Sequence, residues 1–163
     1  KDAKASFCYD KNMNQGKVIL LCGLPGSGKS TFAKKLEAEE GIIRFSPDDW
    51  MEEMGISLWD SKAREAIEQR FWRLAQELAL KGVVSILENG FWSREERDGY
   101  LRTAREKGFQ IELRVCYISK EETRQRLKVR NMEGDELILK EQLDGYYDVF
   151  EKPSEEELAQ YDN

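Results

Sequence analysis

The sequence of 163 residues contains no histidine. Histidine is the commonest general base in enzymes, so any proton transfer must fall to a carboxylate, a lysine or a water molecule. The cysteines, Cys8, Cys22 and Cys116, are odd in number and include no Cys-x-x-Cys pair. With no histidine to complete a ligand set, this pattern argues against a zinc site and is typical of free thiols in a reducing compartment. We therefore expect a cytoplasmic protein.

Long apolar runs are missing as well. None approaches the roughly 18 residues that a membrane helix needs, and residues 1–16 lack the apolar stretch of a signal peptide. The formal net charge of −6 argues against a broad nucleic-acid-binding face. Hydrophobic residues make up 40% and charged residues 36% of the chain. These values indicate one globular domain over residues 1–163, with an N-terminal extension (1–16), a peripheral tail (151–163) and no membrane partner.

Short apolar runs alternate with helical patterns along the chain. We predict strands at 17–23, 42–46, 83–87 and 111–118. We predict helices at 29–40, from residue 60 or 61 to about 81, at 94–107, from a cap at 119 to about 130, and at 136–150. This alternation is typical of an α/β fold with a mostly parallel central sheet and helices on both faces. A fifth strand would have to lie in the tail, where residues 161–163 are too few to predict one.

The stretch GLPGSGKST at residues 23–31 fits the pattern G-x-x-x-x-G-K-[ST] between an apolar strand and a helix. Glycines let the backbone N–H groups approach phosphate oxygens at the positive end of the helix. Lys29 can neutralise β- and γ-phosphate charge, and the Ser30 hydroxyl can bind Mg²⁺. The residues predicted to bind the nucleotide in this loop are Gly23, Pro25, Gly26, Ser27, Gly28, Lys29, Ser30 and Thr31.

Motifs of other P-loop classes are missing from the chain. It contains no Asn-Lys-x-Asp sequence, which argues against a GTPase switch, and no Leu-Ser-Gly-Gly-Gln sequence, which argues against a transporter ATPase. No predicted strand ends in an apolar run followed by aspartate. These absences favour a compact kinase-like domain that uses ATP.

Two aspartates, Asp48 and Asp49, come directly after the second predicted strand. Ligands of such sheets bind outside the carboxyl ends of the strands, so these side chains are expected near the phosphate loop. An aspartate there can orient an acceptor hydroxyl and take its proton. The alternative is that both aspartates only cap the next helix.

The order of these motifs resembles a known group of enzymes. The chain is similar to the P-loop kinases of the polynucleotide kinase, zeta-toxin and chloramphenicol phosphotransferase group. It shares three motifs with them in the same order: G-x-x-G-x-G-K-S-T, then x-x-Asp-Asp-aromatic, then Leu-x-x-Arg-Asn before a polar break. The resemblance covers about residues 17–150. It implies a three-layer α/β/α P-loop NTPase fold with a short lid, ATP and Mg²⁺ as cofactors, and Asp48 as the base. Polynucleotide kinases follow the aromatic residue with an arginine that helps hold the acceptor, whereas this chain has Met51.

Arg126 and Arg130 lie four residues apart on one face of the helix before the polar break at 131–136, the expected lid. An arginine from a lid can clamp the transferring phosphoryl oxygens. The resemblance points to Arg130 as the catalytic one. Arg126, on the same helix face, is a candidate to contact the nucleotide. A second arginine four residues further is common in these kinases; here Gly134 stands there. The alternative is an ordinary solvated helix face.

Four further residues are candidates for the acceptor side of the site: Asp49, Trp50, Glu88 and Asn89. Glu88 can hold a Mg²⁺-bound water and Asn89 can hydrogen-bond the acceptor. Aromatic side chains nearby can wall a pocket or serve the core. Arg94 and Arg97, which open the next helix, are expected on a solvated face, and the alternative is contact with an anionic acceptor.

The sequence thus predicts an ATP-dependent phosphotransferase that moves the γ-phosphate to a hydroxyl of a small molecule or nucleoside-like acceptor. Two alternatives stay open: a polynucleotide 5′-hydroxyl kinase, which the net charge and Met51 disfavour, and a nucleotide-binding module without transferase activity.

Overall fold

The computed structural model of the protein describes the backbone of residues 16–132 and 140–163, and the side chains of residues 16–129 and 142–163. Its centre is a sheet of four parallel strands in the spatial order β2-β3-β1-β4. The strands are β1 (Lys17–Cys22), β2 (Ile43–Phe45), β3 (Ser85–Gly90) and β4 (Gln110–Val115). The prediction of a mostly parallel α/β fold is confirmed.

The described helices are α1 (Lys29–Glu40), α2 (Pro47–Glu53), α3 (Ser61–Ala79), α4 (Arg94–Lys107), α5 (Lys120–Met132), α6 (Lys140–Val149) and α7 (Glu155–Leu158). The short helix α7 was not predicted, and α2 was expected only in the alternative in which Asp48 and Asp49 cap a helix, because too few residues stand at either place to show an apolar period. None of the helices in the described ranges is long and apolar enough to cross a membrane. The expected lid at 131–136 falls mostly outside the described residues, although α5 continues through position 132.

Alternate residues of β1 face opposite sides of the sheet, and both sides are buried. Val18 and Leu20 pack in one cluster with Phe71 of α3. Ile19 packs on the other side with Ala33 of α1. Helices therefore cover both faces and complete a three-layer arrangement, which explains why β1 reads as a continuous apolar run.

The helix ends follow the expected capping chemistry. The sequence allows α3 to begin at residue 60 or 61. In the structure the Asp60 carboxylate accepts a hydrogen bond from Ala63 N at 3.0 Å, so Asp60 is the N-cap. Ser93 caps α4 in the same way through Glu96 N at 3.1 Å, and α4 ends at Gly108. These local signals fix where α3 and α4 start, and so where the chain returns to the sheet.

All four strands differ from their predicted bounds, β1 and β2 by one residue at an end and β3 and β4 by more. β3 runs to Gly90 rather than to 87, because Gly90 pairs with Cys22 and its carbonyl accepts a hydrogen bond from Gly23 N at 2.8 Å. β4 ends at Val115 rather than at 118. The extension of β3 makes Glu88 and Asn89 part of the strand end, beside the start of the phosphate loop.

The tail at 151–163, predicted to be peripheral, is instead joined to β4 in the structure. Asp162 N donates to Ile111 O at 2.9 Å, and Asp162 Oδ2 accepts from Ile111 N at 2.8 Å. Asn163 Oδ1 accepts from Leu113 N at 3.0 Å. The last residues thus bond to β4 without forming a strand, which is consistent with the sequence being too short there for a fifth one.

Arg97 is fully buried, which corrects the expectation of a solvated position. It donates to both carboxylate oxygens of Glu157, at 2.5 and 3.0 Å, and to the carbonyls of Phe91 and Trp92 at 2.9 and 3.1 Å. The Tyr161 hydroxyl donates to the Arg97 carbonyl at 3.1 Å. Burial is tolerated because the charge is paired and the donors are used.

Candidate active site

The loop between β1 and α1 has the geometry of an anion-binding cradle. Gly28 is the N-cap of α1 with φ 97°, in the left-handed region, and it offers no side-chain cap to the first amides of the helix. An α-helix leaves its first N–H groups without intrahelical partners, and its dipole favours negative charge there. The start of α1 is therefore open for a phosphate group.

Lys29 completes this cradle. Lys29 Nζ donates to the carbonyls of Gly23 and Leu24, both at 2.9 Å, so its ammonium lies folded against the loop. Burial lowers the pKa of Lys29, because a charged ammonium loses hydration there. Ser27 Oγ is buried and has no hydrogen-bond partner among the described residues. An anion in the loop would give the Lys29 ammonium a charged partner, so Lys29 fits a bound phosphate. The Ser27 hydroxyl is not among the described residues of the cavity wall and is not assigned to the anion.

The first turn of α1 also offers a ligand for Mg²⁺. Ser30 is exposed at the loop and lines the cavity described next. The described residues contain no cluster of three or more acidic, cysteine or histidine ligands. Mg²⁺ bound together with a nucleotide commonly takes one or two protein ligands and otherwise phosphate and water oxygens. A single hydroxyl from Ser30, with the Glu88 carboxylate nearby on the same wall, suits that mode of binding.

One cavity of about 550 Å³ extends from the loop across the carboxyl ends of the strands. Its wall consists of Pro25, Gly26, Gly28, Lys29, Ser30, Thr31, Ser46, Pro47, Asp48, Leu58, Trp59, Ser61, Arg64, Glu88, Asn89, Gly90, Trp92, Arg126 and Tyr146. Most of the predicted nucleotide-binding residues belong to this wall. Gly23 and Ser27 are also part of the loop, but they are buried and do not line the cavity.

Asp48 lies in the first turn of α2 and lines the cavity that the loop opens into. Its Oδ1 accepts a hydrogen bond from Arg64 Nη2 at 2.7 Å, and its side chain is about half exposed. The N-cap of α2 is Ser46, whose hydroxyl accepts from Asp49 N at 3.3 Å. Neither aspartate is therefore the cap, and the carboxylate of Asp48 is open to a ligand in the cavity.

Asp49, in contrast, is turned away from the cavity wall and bound by Arg44 of β2. Arg44 also donates to Glu88 Oε1 at 2.6 Å and to Glu37 Oε2 at 3.0 Å. One guanidinium thus joins carboxylates from α1, α2 and β3 beneath the site. Asp49 is not among the described residues of the cavity wall, so the structure does not bring it to the acceptor side, whereas Glu88 is on that wall.

Of the other two acceptor-side candidates, Asn89 lines the cavity and Trp50 does not. Trp50 packs edge-on against Phe71, with ring centroids 4.9 Å apart, and is not among the described residues of the cavity wall. It therefore takes the core-packing alternative, although 45% of it is exposed. Asn89 lines the cavity, and its amide lies beside the Tyr100 hydroxyl but outside hydrogen-bond geometry with it. Burial raises the pKa of that hydroxyl, so Tyr100 stays neutral.

Arg126 of α5 lies over the phosphate loop. A Cβ at Gly28 would stand 3.6 Å from Arg126 Nη1, and Arg126 Nη2 donates to Glu122 Oε1 at 2.7 Å. The guanidinium is thus placed on the cavity wall where a triphosphate would lie. The side chain of Arg130 lies outside the described side chains, so its catalytic role stays a prediction.

Sequence reasoning missed several residues of the wall, among them Arg64 of α3 and Tyr146 of α6. Tyr146 packs on Trp92 with ring centroids 5.0 Å apart. Neither belongs to a motif, and both reach the site from helices distant in sequence. The helical period marks their helices but does not tell which turn meets the cavity.

The strand, glycine-rich loop and helix, set at the edge of a parallel sheet with an open cavity, define a nucleotide-binding protein with a kinase-like P-loop fold. The comparison with known families agrees with this class. The chain belongs to the AAA domain family, whose model matches residues 18–153.

Solved structures share the fold at low sequence identity. A presumed kinase from Chloroflexus aurantiacus J-10-fl has 16% identity and a TM-score of 0.70, with 86% of this chain and 83% of that one covered. A chain of the Pnkp1/Rnl/Hen1 RNA repair complex has 22% identity and a TM-score of 0.69. The match covers 93% of this protein but only 45% of that chain. The APS kinase CysC of Mycobacterium tuberculosis, in complex with AMPPNP and APS, has 20% identity and a TM-score of 0.60, with 86% and 85% covered.

These similarities establish the fold and no finer property, because all three identities are below 25%. No curated protein has a sequence that matches this chain.

Proposed function

We propose that this protein is an ATP-dependent phosphotransferase that moves the γ-phosphate to a hydroxyl group of a small molecule or nucleoside-like acceptor. The observation that carries the proposal is that the phosphate loop and Asp48 line one cavity. A donor site and a carboxylate able to take a proton therefore face the same space. The APS kinase with this fold was solved with AMPPNP, which supports ATP as the donor.

The donor half consists of the loop and its positive side chains. The backbone N–H groups at the start of α1 would bind phosphate oxygens, and Lys29 would leave its two carbonyl partners for the β- and γ-phosphates. Arg126, which lies over the loop, would contact the triphosphate, and we assign Arg130 to the transferring phosphoryl group. When Mg²⁺ is bound at Ser30, it supplies charge neutralisation for the phosphates.

The acceptor half depends on Asp48. Its carboxylate would accept the proton of the acceptor hydroxyl while the acceptor oxygen forms a bond to the γ-phosphorus. The bond between that phosphorus and the oxygen that bridges to the β-phosphate breaks, and ADP leaves. Trp59, Trp92 and Asn89 on the same wall would contact the body of the acceptor.

Asp48→Asn tests this assignment, because the amide keeps the shape and cannot take the proton. We expect phosphoryl transfer to fall by about 10²-fold or more, with ATP binding retained. Asp60→Asn is the matched control, since asparagine also caps a helix and Asp60 is outside the described cavity wall. Transfer by Asp48→Asn near the wild-type rate would refute the role of Asp48.

A polynucleotide 5′-hydroxyl kinase is the second candidate. Trp59 is half exposed at the cavity and can stack on a base, and the RNA repair complex contains the same fold. Incubation with a 5′-hydroxyl oligonucleotide and labelled ATP distinguishes the two, because a small-molecule kinase transfers no label to it at low salt. ATP binding without turnover on any hydroxyl acceptor would instead indicate a nucleotide-binding module without transferase activity.

A further inference from the structure

Arg64, in the first turn of α3, contacts three groups around the acceptor end of the cavity. Its Nη2 donates to Asp48 Oδ1 at 2.7 Å and to the Leu58 carbonyl at 3.4 Å. Its Nη1 lies 3.9 Å from Glu68 Oε1, one helical turn further along α3. Arg64 is about two-thirds buried and belongs to the cavity wall. These contacts fix the direction of the guanidinium.

Asp48 depends on this contact for its orientation. It lies in the first turn of α2 with a half-exposed side chain, and among the hydrogen bonds of the described residues its carboxylate is held by Arg64. An exposed carboxylate without a partner samples several rotamers, only some of which face the cavity. The Leu58 carbonyl and Glu68 hold Arg64 in turn, so the restraint comes from α3 and the loop before it.

We propose that Arg64 is a positioning residue for the transfer reaction: it holds the Asp48 carboxylate toward the acceptor hydroxyl. This inference rests on the proposed function of Asp48. A carboxylate that turns away from the acceptor loses the alignment that proton transfer requires, and small misplacements of this kind cost up to about 10²-fold in rate. Arg64 does not itself touch the reacting atoms in this assignment.

The test uses the full chain and two readouts. The first is the carboxyl carbon NMR resonance of Asp48 in protein labelled at aspartate, assigned by its loss in Asp48→Asn. We expect this resonance to move in Arg64→Ala and to stay unchanged in Arg70→Ala, a control arginine exposed on the same helix. An unmoved resonance in Arg64→Ala would overturn the contact, independently of any activity.

The second readout is steady-state ATP hydrolysis, in which water serves as the acceptor probe. Arg64→Ala should lower kcat by about 10-fold or more with KM for ATP within about 2-fold, because the donor half is untouched. Arg64→Lys keeps the charge but lacks the planar fork, so it should recover only part of the rate. Adding Arg64→Ala to Asp48→Asn should produce little further loss, because both act on one step.

The outcomes separate the two proposals. If Asp48→Asn abolishes turnover while Arg64→Ala leaves kcat unchanged, the positioning role is wrong and the function of Asp48 stands. The positioning role is also wrong if Arg64→Ala and Asp48→Asn each lower kcat by the same factor and the double variant loses the product of the two factors. If Asp48→Asn leaves turnover unchanged, the proposed function fails, and the role of Arg64 fails with it. Thermal unfolding of each variant shows whether a loss of rate reflects loss of the folded protein.

Discussion

Glu157→Ala should destabilise the protein strongly, although the residue lies in a four-residue helix near the end of the sequence. The change removes the carboxylate that accepts two hydrogen bonds from Arg97. Both side chains are almost completely buried, with 0% of Arg97 and 3% of Glu157 exposed. Among the described residues, the variant therefore leaves a buried guanidinium charge with the carbonyls of Phe91 and Trp92 as its hydrogen-bond partners.

The magnitude follows from the fate of the remaining charge. Removing one partner of a buried ion pair typically costs about 3–5 kcal/mol. For a chain of this length each kcal/mol lowers Tm by about 2–4 °C, so the drop should be of the order of 10 °C. Glu157→Gln should lose less, because its amide oxygen still accepts one hydrogen bond.

Urea unfolding followed by circular dichroism measures the free energy of unfolding for each variant. Glu156→Ala, an exposed neighbour in the same helix, is the control and should stay within about 0.5 kcal/mol of the wild type. A loss below about 1 kcal/mol for Glu157→Ala would refute the reasoning, since it would mean that Arg97 reaches water or another partner. The double variant Arg97→Met with Glu157→Leu should recover stability only in part, because the Phe91 and Trp92 carbonyls each lose one donor and keep only Cys22 Sγ at 3.3 Å and Glu151 N at 3.0 Å among the described residues.

Two further predictions concern the strand end and the pH dependence of stability. Gly90→Ala should destabilise the protein by about 1–3 kcal/mol, because φ is 95° there and a Cβ would stand 2.7 Å from the Trp92 indole nitrogen. Gly99→Ala, in open space on α4, should instead stabilise by up to about 1 kcal/mol, which urea unfolding of both variants would show. Burial raises the pKa of Glu68 from 4.5 to about 7, so the folded state favours the neutral carboxyl group. This contribution to the free energy of unfolding is complete below pH 4.5 and is lost as the pH rises through 7. Glu68→Gln should therefore flatten the decline of unfolding free energy over that range, with a residual slope from Glu96, whose pKa burial also raises; an unchanged slope would contradict this assignment.

The features that could be predicted from the sequence are those whose cause is local. The phosphate loop and the starts of α3 at residue 60 or 61 and of α4 at residue 94 each depend on a few neighbouring residues, and in the structure the loop joins β1 to α1 and these helices begin at Ser61 and Arg94. The parallel sheet follows from the alternation of such elements.

The aspartate motif shows where local reasoning ends. Asp48 and Asp49 are adjacent on a helix, and successive helical residues point about 100° apart. Only one of them can therefore face the cavity, and which one depends on how α2 is rotated on the core through Met51. The position after the second strand is shared by both aspartates, and only the resemblance singles out Asp48 as the base, while the rotation of the helix places Asp48 on the cavity wall and Asp49 against Arg44.

The burial of Arg97 could not be predicted from the sequence, for a different reason. Arginine is seldom buried, so the default expectation for Arg97 is a solvated face. Its partner Glu157 lies 60 residues further along the chain, in a segment with no apolar period. Long-range ion pairs of this kind leave no periodic trace in a single sequence.

The bonds between residues 162–163 and β4 also bear on how molecules of this protein meet one another. β4 is an outer strand of the sheet, and an outer strand with free N–H groups is a template on which another chain can add a strand and aggregate. Asp162 and Asn163 occupy the N–H groups of Ile111 and Leu113 with side-chain oxygens. The opposite outer strand, β2, has only three residues and offers little to pair with. Self-association through the edges of the described sheet is therefore opposed at β4 by hydrogen-bonded N–H groups and at β2 by the short length of the strand.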